Sequence, residues 1–243
     1  MAIIVLFTDF GPAGPYTGQM EAVLRQMAPM HPVINLLSNA PVANPRASSY
    51  LLAALRHSFP GNSIFLAVID PGVGSERKAV VLHADGQYFV GPDNGLLNTV
   101  AAQSRQMQWF EIIWRPEQYS MSFHGRDLFA PISARLACNT ADGLLKPFTR
   151  HDLDVWPEDL SEVIYFDHYG NAMTGLRYHE GLAGKSLTVN GIVMEQADTF
   201  SAVAEHQAFW YRNSSGLVEI AVNQGSAQHQ LDLEVGVGVS FSQ

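Results

Sequence analysis

The sequence predicts an α/β N-terminal domain, a mostly parallel sheet covered by helices, followed by a smaller all-β, barrel-like C-terminal domain. Three observations carry that expectation. Strand-like and helix-like segments alternate through the first half, polar residues gather where two of its strands end, and beyond about Pro147 only short β-prone runs remain. In order, "IIVLFTD" is an apolar run closing on a polar turn, and "GQMEAVLRQMA" has apolar residues at helical spacing. "PVINLL" reads as a strand, "PRASSYLLAALRHSF" as a helix with Pro in its first turn, and "SIFLAVID" as a third strand. This β-α-β-α-β order provides the crossovers that parallel strands need. "GPDNGLLNTVAAQ" is a tight turn leading into a helix, and "GRDLFAPISARLA" is a further helix. After these come "SEVIYFDHYGN", "KSLTVNGIVM", "QAFWYRNSSGLVEIAVNQG" and "LDLEVGVGVSF", separated by Gly, Asn and Ser turns, with nothing helical of any length. The expected domains are residues 1–155 and 156–243.

Composition narrows the function classes. With 47% hydrophobic and 15% charged residues, the 243-residue chain is globular rather than disordered and long enough to bury a sizeable core. No apolar run approaches the ~20 residues that cross a bilayer, so no membrane partner is expected. The net charge of -9, with no basic cluster, argues against nucleic acid. One cysteine, Cys138, excludes internal disulfides and a zinc–thiolate cluster. The opening "MAIIVLFTDFG" enters a strand with neither a basic leader nor a small-residue cleavage site, so a cytoplasmic protein is expected.

Candidate chemistry sits at the strand ends, where open α/β sheets bind ligands. "LAVIDPGVGSERKAVVL" (residues 66–82) sets two apolar strands around a turn of Pro71, Gly72 and Gly74. It is either a hairpin-like connection with a solvated lip, or a loop in which Asp70 and Arg77 face one another and hold a substrate or a water. In "TDFG", Asp9 is a turn or cap residue, or a carboxylate at a strand end that accepts both hydroxyls of a ribose. A kinase reading of "TDFG" fails, since the chain has no glycine-rich nucleotide loop and no HRD segment. "SFHGRDLFAP" sets His124 beside Gly125, where a ligand can approach the backbone; Asp127 pairs with Arg126 or supports the helix start. "FDHYGN" offers Asp167 and Asn171 around what is by default a hairpin turn. A divalent metal would need His124, Asp9, Asp70, Asp93 and Asp127 to converge without any HxH, HExxH or DxDxDG spacing, so no metal is expected.

Six motifs in one order span almost the whole chain: "TDFG", "FPGNSIFLAVIDPGVGSER", "GPDNGLL", "SFHGRDLFAP", "DHYGN" and "NSSGLVEIAVNQGSA". The chain thereby resembles the S-adenosyl-L-methionine hydroxide adenosyltransferases, or S-adenosylmethionine hydrolases, relatives of the fluorinases and chlorinases. The resemblance implies an α/β domain joined to a β-barrel domain, and a homotrimer with each active site between one subunit's N-domain and its neighbour's C-domain. It implies hydrolysis of S-adenosyl-L-methionine to adenosine and L-methionine with no cofactor. The family's Asp-Arg-His set falls on Asp70, Arg77 and His124, and its ribose carboxylate on Asp9. Phe200 matches the ring that stacks on adenine, and the loop around Asn223 matches the adenine edge. Asp167 and Asn171 match the methionine ammonium site, Ser214 and Ser215 the carboxylate site.

The chemistry suits those residue types. Methionine leaves as a neutral thioether, so only the nucleophile needs preparing, and charge on sulfur vanishes towards the transition state, which a water-poor site favours. A carboxylate already engaged by a guanidinium is a weak proton acceptor, so Asp70 is expected to orient water and stabilise hydroxide rather than abstract a proton outright. Halide adenosyltransferases carry a Tyr and a Thr in the loop matching Asp70 to Val73, and a Ser where this chain has Gly125. A non-catalytic adenosine- or S-adenosylmethionine-binding protein is the alternative from another class, and an intact Asp70, Arg77 and His124 argues against it. The chain departs from the family at Gly14 (usually Asp), at "NLLS" including Ser38 (usually "D-TH") and near Ala43 (usually aromatic). Loss of that ring leaves adenine stacked on one face, and a base–aromatic stack is worth roughly 1–3 kcal/mol.

Overall fold

A computed structural model describes residues 1–150 and 152–242. They form two compact units, residues 1–53 with 58–156, and residues 54–57 with 157–243. The first is built on a seven-stranded sheet. Its strands are β1 (Ile4–Thr8), β2 (Val33–Leu37), β3 (Ile64–Val68), β4 (Ala79–Ala84), β5 (Gln87–Pro92), β6 (Met107–Ile112) and β7 (Leu145–Phe148), in the order β2-β1-β3-β5-β4-β6-β7. The pairs among β2, β1, β3 and β5 are parallel, and those among β5, β4, β6 and β7 antiparallel, so the sheet is mixed. All five residues of β1 and of β3 are buried. That is why both read as largely apolar runs: each strand is covered on both faces, and neither side-chain set meets water.

On one face, Ile4, Leu6, Leu66 and Val68 pack with Met20 and Leu24 of α1 (Tyr16–Met27) and Ile132 of α4 (Ala130–Ala137). Elsewhere Ser49 of α2 (Pro45–Leu55) meets Thr99 of α3 (Asn98–Ala102), their hydroxyls 2.7 Å apart. Two expectations need correcting. Residues 66–82 do not make a hairpin: β5 lies between β3 and β4, so the loop from Asp70 to Lys78 crosses over it. The segment "GRDLFAPISARLA" is not one regular helix either, for it opens with a π-turn over Gly125–Phe129 before α4 begins. Such turns commonly occur where a side chain is re-aimed at a functional site.

The topology positions the candidate residues. Thr8 of β1 pairs in register with Val68 of β3, so the loops carrying Asp9 and Asp70 leave the carboxyl ends of neighbouring parallel strands. The turn after β5 reaches the same place, and Asn94 Nδ2 donates to the Ile69 carbonyl at 2.8 Å, bracing the backbone next to Asp70.

The second unit contains a four-stranded antiparallel sheet, β12-β13-β9-β8, and a three-stranded one, β11-β10-β14. The first uses β8 (Leu160–Phe166), β9 (Ala172–Arg177), β12 (Ala208–Arg212) and β13 (Leu217–Val222). The second uses β10 (Leu187–Val189), β11 (Ile192–Met194) and β14 (Val239–Phe241); a short α-helix, α5 (Ala227–Gln230), and 3-10 turns at Glu180–Leu182 and Phe200–Ala202 accompany them. Fully buried Trp210 joins Val163, Leu187, Val218 and Ile220 in its core and donates from Nε1 to the Lys185 carbonyl at 2.9 Å.

Gly95 has φ +95°, and a Cβ there would run into the indole ring of Trp156. A left-handed alanine costs about 1–2 kcal/mol, and overpacking about 1–3 kcal/mol. Gly95→Ala is therefore expected to destabilise the protein by at least about 2 kcal/mol in chemical denaturation.

Candidate active site

In the N-terminal unit, three sequence-predicted residues meet through one side chain. Arg77 Nε donates to Asp70 Oδ1 at 2.7 Å, and Nη2 donates to Oδ2, forming a bidentate pair. The same Nη2 lies 3.2 Å from His124 Nδ1. The side chains are buried, 9% exposed for Arg77 and 5% for Asp70. Arg77 is held from two further directions: Nη1 donates to the Lys78 carbonyl at 3.1 Å, and the guanidinium lies 5.3 Å from the Phe129 ring centre.

An arginine only donates, so Nδ1 of His124 must accept. That places the imidazole proton on Nε2, which is buried and has no hydrogen-bond partner among the described residues. Burial, and then the charge of Arg77, hold this histidine below its ordinary 6.5. The result is a neutral ring with one N–H available to a ligand oxygen. Asp70 and His124 line a cavity of about 440 Å³ with Phe10, Tyr16, Phe123 and Gly125. Asp127, which does not line this cavity, ties the loop: it accepts from the Ser120 N–H at 2.8 Å and pairs with Arg126, which holds its carboxyl below the usual range.

Asp9 belongs to the same unit. Its Oδ2 accepts the Ala43 N–H at 2.9 Å. Burial raises its carboxyl, opposed by that N–H, and the nearby charge of Asp70 raises it further. The loop around Ala43, which has φ +52°, thus holds Asp9. A Cβ on Gly14 would lie 3.1 Å from the Phe10 carbonyl oxygen, so a larger residue there needs the loop to shift. A Cβ on Gly125 would lie 3.1 Å from Met20 Sδ and 3.3 Å from the Phe123 ring, so any side chain there would be crowded.

The C-terminal unit gathers a second set around a cavity of about 760 Å³ lined by Asp167, Asn171, Phe200, Tyr211 and Asn223, among others. Asp167 Oδ1 accepts the N–H groups of Tyr169 and Asn171, and Oδ2 accepts Asn171 Nδ2, each at 2.9 Å. Asn171 Oδ1 is buried and has no partner among the described residues, an acceptor next to a carboxylate. That pair suits an ammonium group. Phe200 is 38% exposed and packs edge-on against Phe209 and Tyr211, at 5.1 and 5.7 Å. Asn223 has its N–H, carbonyl and side-chain amide bonded to Gln207, His206 and Val203. Ser214 and Ser215 do not line this cavity; they sit in the turn pinned by Asn213. Among the described residues, no three His, Cys, Asp or Glu side chains gather as a metal ion would require.

Two family models cover the chain: the SAM hydroxide adenosyltransferase N-terminal domain over residues 4–144, and its C-terminal domain over residues 161–240. The chain belongs to the SAM hydroxide adenosyltransferase family. Among curated proteins, the (R)-S-adenosyl-L-methionine hydrolase of Thermus thermophilus is 34% identical, covering 98% of this chain and 99% of its own. That of Salinispora tropica is 32% identical, over 94% and 93%. The crystal structure of an uncharacterized conserved protein from Thermotoga maritima superposes with a TM-score of 0.90 at 28% identity, covering 99% of this chain and all of that one. The family's two-domain division matches the α/β unit and the separate antiparallel sheets.

Motif reading does not single out the Ala43 N–H, Asn94, Tyr211 or Glu219. A backbone donor leaves no side-chain signal, but a lone Glu inside the apolar run "LVEIAV" does. The tautomer assignment is testable by nitrogen-15 NMR. His124 is expected as the Nε2–H form, titrating below 6.5. An Nδ1–H form, or a midpoint at or above that value, would contradict the geometry.

Proposed function

We propose that this chain hydrolyses (R)-S-adenosyl-L-methionine to adenosine and L-methionine by direct attack of water on the ribose C5′. The observation that carries this reading is the buried contact of Asp70, Arg77 and His124 in a chain with hydrolase relatives across nearly its whole length. The oxygen–C5′ bond forms as the C5′–sulfur bond breaks. The electron pair of the broken bond goes to sulfur, leaving a neutral thioether, and one water proton is released.

The protein's task is to hold the nucleophile. Asp70 accepts a hydrogen bond from the water, and the Nε2–H of His124 donates to its oxygen, stabilising it as it becomes hydroxide-like. Arg77 fixes both groups and, by occupying Asp70 in two places, keeps it an orienting acceptor. Asp9 holds the ribose diol and Phe200 stacks on adenine, with Asn223 at the adenine edge. Asp167 and the free Oδ1 of Asn171 take the ammonium, and the turn of Ser214 and Ser215 takes the carboxylate. The leaving group carries no charge, so no Lewis acid is needed, and no cofactor is assigned. Following the family resemblance, the active assembly is a homotrimer in which N-terminal and C-terminal units of neighbouring subunits complete each site. A cytoplasmic location is part of this reading, on the strength of the single cysteine; among the described residues no helix is long and apolar enough to cross a membrane.

Purified protein given (R)-S-adenosyl-L-methionine should form adenosine and methionine in equal amounts, unaffected by EDTA, and sediment at three times the 26.7 kDa chain mass. Asp70→Ala should lower turnover by at least about a hundredfold. Near-normal turnover in that variant would refute the assigned role.

A further inference from the structure

Glu219 lies in β13, at the interior of the four-stranded sheet, and is 2% exposed. An apolar side chain would fill such a place without the cost of burying a carboxylate. Both of its oxygens are used. Oε1 accepts the Tyr211 hydroxyl at 2.6 Å, and Oε2 accepts Asn213 Nδ2 at 2.7 Å. Burial pushes this carboxyl up, against the pull of those two bonds. In its ionised form it satisfies both donors together.

The two partners lead to different parts of the surface. Tyr211, directly opposite Glu219 across the strand pair, lines the cavity and packs against Phe200. Asn213 Oδ1 accepts the N–H groups of Ser215 and Leu217, both at 2.9 Å, and so fixes the turn that carries Ser214 and Ser215. One buried carboxylate therefore connects the aromatic wall to the serine turn.

We propose that Glu219 is a positioning residue that sets the adenine-stacking wall and the carboxylate-binding turn in a fixed spacing, so that both ends of one substrate are gripped together. This rests on the binding roles proposed above for Phe200, Ser214 and Ser215. Glu219 acts on affinity rather than on the reacting atoms, and it acts on both ends of the substrate.

The test measures, by calorimetry, the affinities of adenosine and L-methionine separately, alongside kcat and KM for (R)-S-adenosyl-L-methionine. Glu219→Met keeps the volume and removes both acceptors. It should weaken each product by about tenfold and raise KM, with kcat at saturation changing by less than about threefold. Glu219→Gln keeps an acceptor for Asn213 and a polar partner for Tyr211, and should restore both affinities most of the way. Tyr211→Phe, which removes one hydroxyl from the wall, should weaken adenosine alone; it decides the matter should Glu219→Met not fold, because unchanged adenosine affinity overturns the proposal. Wild-type affinities in a folded Glu219→Met, with hydrolysis intact, overturn the proposal and leave the hydrolase reading standing. A wild-type protein that neither binds these products nor hydrolyses the substrate overturns both.

Discussion

The guanidinium of Arg77 is the contact on which the candidate site depends. It forms two bonds to Asp70 and one contact to His124, residues brought together from the loop after β3 and the position just before the π-turn. A buried charge pair is not in itself a source of stability, because desolvation offsets much of the attraction. Its consequence here is geometric. A planar donor fork fixes the carboxylate plane and the histidine tautomer together, so the cavity presents an acceptor and a donor in a set relation. The surrounding structure supports the fork: Asn94 braces the backbone before Asp70, and Asp127 ties down the loop before His124.

The two units share the labour unequally. The α/β unit holds the groups assigned above to the nucleophile and the ribose. In it the backbone N–H of Ala43 supports the Asp9 carboxylate. The β unit holds polar and aromatic groups suited to the ends of an adenosyl amino acid, organised by turns whose side chains bond their own backbone. Asp167 spends most of its hydrogen-bonding capacity on its own loop. Beside it the buried Oδ1 of Asn171 is an acceptor with no partner among the described residues.

Much of this was legible in the sequence, for definite reasons. Strands β1 and β3 are covered on both faces, so their apolar runs were unmistakable, and Asp9 and Asp70 stood out as the first polar groups beyond them. The insertion of β5 between β3 and β4 was not legible, because strand order is decided by pairing between distant segments, which leaves no local trace. Asp70 and Arg77 were visible as opposed charges seven residues apart; that the same Arg77 nitrogen also reaches His124 depends on side-chain direction. The support of Asp9 by Ala43 comes from a backbone amide that every residue but proline carries. Glu219 was the reverse case, a visible anomaly in an apolar strand whose meaning needed both of its partners.

The central claim is that water attacks C5′ directly while sulfur leaves from the opposite side. Turnover in oxygen-18 water, on substrate made chiral with deuterium at C5′, tests it most directly. Direct attack gives one labelled oxygen in the 5′-hydroxyl of adenosine and inverted configuration at C5′. Label in the amino-acid product, or retention at C5′ through a covalent intermediate, would contradict it.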